Sequence, residues 1–524
     1  MDIGLTQAEI TAQQAVALLL EKDRLIERQT DIIDKKSDVI AEQKKRIALL
    51  EEYLRLERAR LYGRRSESHN GQGELFDEAE LCCDASQEEL PQVEASQKLD
   101  RAKKGRKGLS KKLPRHQVYL NLDEAEKAGA LDTFYSVIKE ELDIEPAKAR
   151  VIEYLQEKAV FVEQDERRIK AAELPKHPLP KTIASVGLLA YVIVSKYCDG
   201  LPLYRLENII KRYGGEISRT SMANWVIKLA LQLQPLINLM REHQLGYDYL
   251  HMDETRIKVL KEPGKSPTCD KWMWVSRGGP ADSPVILFDY DPSRGKEVPL
   301  RLLEGFEGYL QSDGYAGYDA VCKKEQVTHL GCWDHARRKF TDAKKAATSD
   351  DKKITKGKVA KFDIALNKIQ QLYAIERDIK SLTATEKYQQ RQQRSKPVLE
   401  DLKQWLEKTI SKVAKDGKTH TAIQYTLNQW PKLVRYCDDG RLNISNVLAE
   451  NAIRPFVIGR KGWLFADTPK GANASAIHYS LVETAKANGL EPYAYLREVL
   501  SKLPYAETVE DYEVLLPWNI KKMQ

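Results

Sequence analysis

The chain has 524 residues, 42% of them hydrophobic and 8% aromatic, with a formal net charge of +7. That length allows roughly three or four domains with real cores, and so mild a positive charge permits a nucleic-acid partner without demanding one. The seven cysteines (Cys82, Cys83, Cys198, Cys269, Cys322, Cys332 and Cys437) are odd in number and unevenly spaced, which argues against a disulfide-stapled secreted protein.

At the N-terminus, Asp2 and the lack of a basic, apolar, small-residue order argue against a signal peptide. Residues 1–65 are almost free of glycine and proline and predict long helices. Ile26, Ile33, Ile40, Ile47, Leu54 and Leu61 recur every seven residues, the spacing of a coiled-coil seam. The position three later (Gln29, Lys36, Gln43, Leu50, Glu57) is poor in apolar residues, so packing on the chain's own helices is the alternative. From Ser66 to Gln97 there is no Lys or Arg, and "GELFDEAELCCDASQEEL" reads as an acidic linker. The charge then reverses in "KLDRAKKGRKGLSKKLPRH" (98–116), either a solvated run or an arm that contacts phosphates. Residues 117–170 predict a small α+β module, followed by the proline-punctuated "LPKHPLPKT".

Residues 181–240 predict helices. "IASVGLLAYVIV" (183–194), bounded by Lys181 and Lys196, is too short to span a bilayer and reads as a buried helix. Downstream, a Gly214-Gly215 break and a Ser218 N-cap outline a helix-turn-helix. In it Arg219, Thr220, Asn224 and Lys228 lie away from Val226 and Ile227 and are DNA-binding candidates; any helical domain could hold such a pair. "YDYLHMD" (247–253), "KWMWVS" (271–276) and "PVILFDY" (284–290) predict three strands. A helix in "SRGKEVPLRLLEGF", a strand "GYLQSD" (308–313), a helix from about Tyr315, a strand "QVTHLGC" (326–332) and a helix "WDHARRKFTDAKKA" follow. This order suits an RNase H-like core, although periodicity alone does not separate it from other α/β folds. Residues 341–437 read as an inserted set of polar helices. An amphipathic helix then carries Glu450, with Ile444, Val447, Leu448, Ala452 and Ile453 as its apolar residues. "PYAYLREVLSKLP" and "YEVLLPWNI" suggest a last helix and a docking tail.

Asp253 ends the first of these strands and Asp313 the fourth. Neighbouring strands in such an order bring both carboxylates to one edge, and Gly314 lets the backbone turn sharply after Asp313. Glu450 from a helix packed across that edge completes a three-carboxylate set. Such a set repels itself unless cations neutralise it, and Mg²⁺ (or Mn²⁺), two ions, suits oxygen ligands and phosphodiester chemistry. Arg454, Arg460 and Lys461 would then hold the DNA backbone, as would Arg337, Arg338 and Lys339. Each carboxylate also has a bland reading: Asp253 as a strand end with Glu254 the working neighbour, Asp313 as a turn residue, Glu450 as the partner of Arg454. Cys332, His335 and His329 invite zinc, but a structural site needs four ligands and no second pair is visible. His335 is expected at the site's edge, orienting groups or contacting phosphate. No phosphate loop, dinucleotide fingerprint or serine nucleophile elbow is present.

These blocks, "RLYGRRSES", "LPLYRLENIIKRYGGEISRTSMANWV", "HMDET", "QSDGYAGY", "GCWDHARRKF", "NVLAENAIRPFVIGRKGWLF" and "LLPWN", resemble the bacterial insertion-sequence transposases of the IS-sixty-six type, within the DDE transposases. The resemblance implies an RNase H-like catalytic core interrupted by a helical insertion, with metal held by Asp253, Asp313 and Glu450. It also implies cutting at the element's terminal inverted repeats and transfer of 3′-hydroxyl ends to target DNA. Double-stranded DNA, further copies of the chain and accessory proteins of the same element are the implied partners, in a bacterial cytoplasm at the nucleoid. The family often carries a cysteine-rich, zinc-ribbon-like segment; residues 117–170 contain no cysteine, so no structural zinc is expected. The expected divisions are 1–65 helical or coiled coil, 66–98 linker, 99–175 basic arm and module, 176–245 helix-turn-helix region, 246–340 first catalytic part, 341–437 insertion, 438–490 second catalytic part and 491–524 terminal helix and tail. The alternatives are a structure-selective nuclease on the same core and a catalytically silent DNA-binding regulator.

Overall fold

The computed structural model describes residues 149–163, 166–324, 326–346, 360–415 and 417–523, with scattered positions between 19 and 43. Residues 1–75 and 76–524 form two compact units. In the first, the described positions are helical, and Leu25, Ile26 and Ile40 are exposed. The rest of the seven-residue seam, the acidic linker, the basic arm and most of the 117–170 module lie outside the described residues. Among the described residues no helix is long and apolar enough to cross a membrane.

Among the described residues of the second unit, the first paired strands are an antiparallel hairpin, β1 (Lys158–Glu163) and β2 (Glu166–Ala171). Helix α1 (Val186–Tyr197) follows, capped by Ser185, whose hydroxyl accepts the Leu188 N–H. Its Leu189, Ala190, Val192 and Ile193 are buried, as the short apolar run predicts. Helices α2 (Leu203–Arg212) and α3 (Arg219–Leu245) flank a turn at Gly214, whose φ of 85° suits glycine and penalises a side chain. Ser218 caps α3 by accepting the Ser221 N–H. Along α3, Met222, Trp225, Val226, Leu229 and Leu233 form one buried stripe.

A six-stranded mixed sheet forms the centre. Strands β3 (Tyr249–Val259), β4 (Lys271–Gly278) and β5 (Val285–Asp291) pair antiparallel in chain order. Helix α4 (Glu297–Leu302) then returns the chain to β6 (Gly308–Gln311), which pairs parallel with β3. A 3₁₀ turn and helix α5 (Asp319–Lys324) lead to β7 (Val327–Leu330), parallel to β6. The order is therefore β5-β4-β3-β6-β7, with the first and fourth strands of this series adjacent. Helix α6 (Trp333–Ala346) follows β7.

One expectation is corrected here. Asp253 does not end its strand: β3 continues to Val259, because β4 pairs with it from Leu250 to Ile257. The parallel neighbour β6 reaches only as far as His251, and the two-residue β8 (Phe465–Ala466) meets β3 at Lys258 and Val259. Asp253 thus lies in the gap between two short partners on that side of a long strand. Asp313 follows β6 by two residues.

Residues 341–437, expected as an insertion, contain α7 (Lys361–Asp378), α8 (Ala384–Gln390), α9 (Lys396–Ile410) and α10 (Lys418–Leu433) among the described residues. Buried Arg391 ties them to the returning chain: its guanidinium pairs with Glu376 and donates to the carbonyls of Tyr436, Asp439 and Leu442. Helix α11 (Val447–Trp463) carries Glu450. Its apolar face matches the one read from the sequence in Ala452 and Ile453, and departs from it at Val447. Val447 is exposed and Ile444 precedes the helix, while Ala449, Glu450, Ala452, Ile453, Phe456 and Val457 are buried.

Helix α12 (Pro469–Ala487) packs on edge strand β5. Thr484 and Ser480 hydroxyls accept the Ile286 and Phe288 N–H groups, and Thr484 donates to the Ile286 carbonyl. An otherwise open sheet edge is satisfied by helix side chains. Helices α13 (Pro492–Lys502), α14 (Val509–Glu513) and α15 (Pro517–Met523) finish the chain. Leu515, Leu516, Trp518 and Ile520 are buried, and Trp518 stacks on His243 of α3, so the tail docks as its composition suggests.

Candidate active site

Successive residues of a strand face opposite sides of its sheet, and this separates Asp253 from Glu254. On the side of Asp253, His251 Nδ1 lies 3.1 Å from Asn446 Oδ1, and Thr255 accepts from Arg460 at 3.2 Å. Both contacts come from α11 or the residue before it, so Asp253 faces the helix that carries Glu450. Asp253 Oδ1 accepts the Glu254 N–H at 2.9 Å. Burial is the main reason its carboxyl is raised well above the usual range; the charges of Glu254, Asp313 and Glu450 push it further, and His335 opposes them.

Glu254 points to the other side. It accepts two N–H groups of Arg294 at 2.9 and 2.6 Å and the Tyr318 hydroxyl at 2.6 Å. The Arg294 guanidinium lies 4.6 Å over the Trp272 ring and 4.1 Å over the Tyr315 ring. Burial, then Asp313, still pushes Glu254 up to about 7, against the pull of Arg294 and Tyr318.

Asp313 sits on a braced loop. Its Oδ1 accepts the Tyr315 N–H at 2.8 Å, and its carbonyl accepts the Tyr425 hydroxyl of α10 at 2.8 Å. Gly314 adopts φ 91°, and a Cβ there would stand 3.1 Å from the Gln429 side chain. The preceding Ser312 is held 2.7 Å from His329 Nε2. His329 also lies 3.4 Å from Asp319, which Lys432 of α10 reaches at 2.7 Å. Two further ties hold α10 to this end of the sheet: Gly331 N–H donates to the Lys432 carbonyl and Trp333 Nε1 to the Leu433 carbonyl. The inserted helices therefore support the loop that bears Asp313.

Glu450, 8% exposed, meets the start of α6. His335 Nδ1 lies 3.7 Å from its Oε1 and the Cys332 thiol 4.0 Å. One donor atom from each of Cys332, His335 and Glu450 falls within 4.8 Å of the others. His329 is not in this group. The charges of Glu254, Asp313 and Glu450 all bear on the Asp253 carboxyl, with His335 opposing them, and that of Asp313 bears on Glu254 as well. Asp253, Asp313 and Glu450 supply oxygen donors, a set that fits a hard divalent cation.

The basic candidates divide. Arg219, Thr220, Asn224 and Lys228 are exposed along one side of α3, and Arg337 and Lys461 are exposed too. Arg338, Lys339, Arg454 and Arg460 are half-buried, and Lys339 lies 5.6 Å over the Tyr425 ring. Sequence reasoning missed Asn446. Its position before α11 signals a helix cap, but its side chain instead donates to the Met252 carbonyl at 2.8 Å and meets His251. It locks α11 to β3 beside Asp253. Burial lowers His251 to about 4, so it is neutral in this role near neutral pH. Arg294 and Tyr318, the partners of Glu254, were missed as well; no local spacing links them to it.

Comparison with known proteins gives three family matches. The family described as "Transposase IS66 family" matches residues 181–474, the "IS66 C-terminal element" residues 480–518, and "Transposase C of IS166 homeodomain" residues 49–118. The last span lies outside the described residues. Among curated relatives, the uncharacterized protein y4qI of Sinorhizobium fredii (strain NBRC 101917 / NGR234) is 33% identical over 460 residues, 85% of this chain and 83% of the relative. Two further uncharacterized proteins of that strain are each 30% identical. With y4jD the match covers 79% of this chain and 82% of the relative; with y4hP it covers 74% and 71%.

Proposed function

The chain belongs to the IS66 family of transposases, and we propose that it cuts DNA at the terminal inverted repeats of a mobile insertion sequence and joins the freed 3′-hydroxyl ends to target DNA. The observation that supports this reading is that the charges of Asp313, on the loop after β6, and Glu450, on α11, both bear on buried Asp253 of β3. In this reading the sheet is an RNase H-like core, and the three carboxylates hold Mg²⁺ or Mn²⁺, two ions in all. Those ions, when bound, would supply the charge that activates the attacking oxygen and stabilises the leaving one.

The chain's own residues do the rest. Asn446 and His251 fix the start of α11 against β3, which sets where Glu450 stands. Tyr425 and Gly314 set the Asp313 loop. Arg454, Arg460, Lys461, Arg337, Arg338 and Lys339 flank the carboxylates with positive charge that a phosphate backbone would meet. Arg219, Thr220, Asn224 and Lys228 give α3 an exposed polar side suited to a DNA groove, and the segment matched to a homeodomain description offers a second DNA contact. The exposed Leu25, Ile26 and Ile40 are consistent with self-association of the N-terminal helix, so that two DNA ends are held by more than one copy; accessory proteins of the element complete the proposed assembly.

The test uses purified full-length protein, a labelled duplex carrying the element's end, and Mg²⁺ or Mn²⁺, with Asp253→Asn alongside. Metal-dependent nicking at the 3′ end and a joined product, both absent in the variant, are expected. Cutting without joining would instead identify a nuclease, and binding with neither, under varied metal and with accessory proteins added, a regulator.

A further inference from the structure

We propose that Cys332, His335 and Glu450 form a binding site for a thiophilic divalent cation of the zinc class, which shares Glu450 with the carboxylate set and so competes with the hard cation there. The site itself stands on geometry alone; only the competition rests on the function proposed above. Cys332 immediately precedes α6 and His335 lies in its first turn, three residues on, so both project from the same side of the helix start. Glu450 arrives from α11, 115 residues beyond His335 in sequence. The three donor atoms already lie within 4.8 Å of one another. Zinc binds sulfur and nitrogen at about 2.0–2.3 Å, so an inward shift on the order of 1 Å would bring all three onto one ion. A thiolate, an imidazole and one carboxylate are donors for zinc or cobalt, whereas magnesium prefers oxygen alone.

The surroundings supply the sulfur with a hydrogen-bond donor. The Asn446 backbone N–H donates to Cys332 Sγ at 3.2 Å. The same residue is anchored through its side chain to Met252 and His251. Hydrogen bonds of this kind orient first ligands and stabilise sulfur that has lost its proton. Chain position is fixed on both sides as well: Trp333 N–H donates to the Ile444 carbonyl, joining the two ends of the insertion where the ligands meet. Three protein ligands leave a fourth position for water, the pattern of an exchangeable site rather than a closed structural one. On binding, the Cys332 proton passes to solvent as the sulfur–metal bond forms.

Cobalt(II) is the probe, titrated into the full-length protein without DNA. One equivalent is expected to give tetrahedral ligand-field bands and a thiolate-to-cobalt charge-transfer band, both removed by added zinc. Cys332→Ser should lose the charge-transfer band. His335→Gln, which alters no thiol, should lose the tetrahedral intensity, with circular dichroism unchanged in each. A spectrum without charge transfer, or charge transfer that persists in Cys332→Ser, would overturn the site. In the Mg²⁺ cutting assay, zinc should inhibit and excess Mg²⁺ should restore activity; uninhibited cutting would overturn the competition. Absent cutting beside an intact cobalt spectrum would reject the transposase reading while leaving the metal site standing.

Discussion

Asp253 and Glu254 are consecutive on β3 and both buried, yet the two faces of the sheet treat them differently. Glu254 meets a guanidinium held between two aromatic rings and a phenol that donates to it. Asp253 meets a backbone N–H and the charges of other carboxylates, with His335 as the weak opposing influence. A buried carboxylate supplied with its own counter-charge is part of the framework. One crowded by like charges is stable only with a proton or an added cation. The comparison teaches that position in the "HMDET" motif does not distinguish these neighbours; their partners across the sheet do.

The comparison is broken most severely by removing the charge from the crowded side. Glu450→Gln and Asp253→Asn are expected to keep the fold and DNA affinity but to lower cutting and joining by about 10³-fold or more, since metal stabilisation is worth several kcal/mol. Retained strand transfer in either variant, read on sequencing gels, would remove it from the site. On the satisfied side the expected effect is on stability. Glu254→Ala leaves the fully buried Tyr318 hydroxyl without its acceptor and should cost about 1–3 kcal/mol. Thermal unfolding would read this, with cutting kept below the transition. Gly314→Ala strains a backbone at φ 91° and crowds Gln429. A cost of about 1–2 kcal/mol at that loop should appear as roughly tenfold slower cutting, because Asp313 is displaced.

The pH dependence follows from the raised carboxyls. A carboxyl whose value rises on folding contributes stability at acid pH and loses it as pH rises through the folded value. Metal-free protein should therefore lose stability, about 3 kcal/mol from Glu254, between the ordinary carboxylate range, about 4, and the value of about 7 for Glu254. Mg²⁺ should restore the part due to Asp253 and leave the part due to Glu254, measured as melting temperature across that window. The smallest effect is expected from Tyr425→Phe, which removes one hydrogen bond to the Asp313 carbonyl and about 1 kcal/mol; cutting should slow only a few-fold, about that energy's worth.

Much of this was legible in local pattern. The α6 helix begins and ends where "WDHARRKFTDAKKA" predicts, Ser218 caps α3, and the first and fourth strands of the sheet are neighbours. What escaped was set by distant parts of the chain. The length of β3 depends on pairing with β4, so Asp253 looked like a strand end when it is internal. The face that α11 buries depends on β3 and β4, so Val447 looked apolar-inward although it is exposed.

On the proposed reading the crowded face of β3, and not the satisfied one, binds the divalent cation. The most direct measurement is the binding of Mn²⁺ to the full-length protein with the end-bearing duplex, followed by the electron paramagnetic resonance of free Mn²⁺, in wild type, Asp253→Asn and Glu254→Gln. Binding is expected in wild type and in Glu254→Gln, and its loss in Asp253→Asn. Binding retained in Asp253→Asn, or lost only in Glu254→Gln, would contradict that reading.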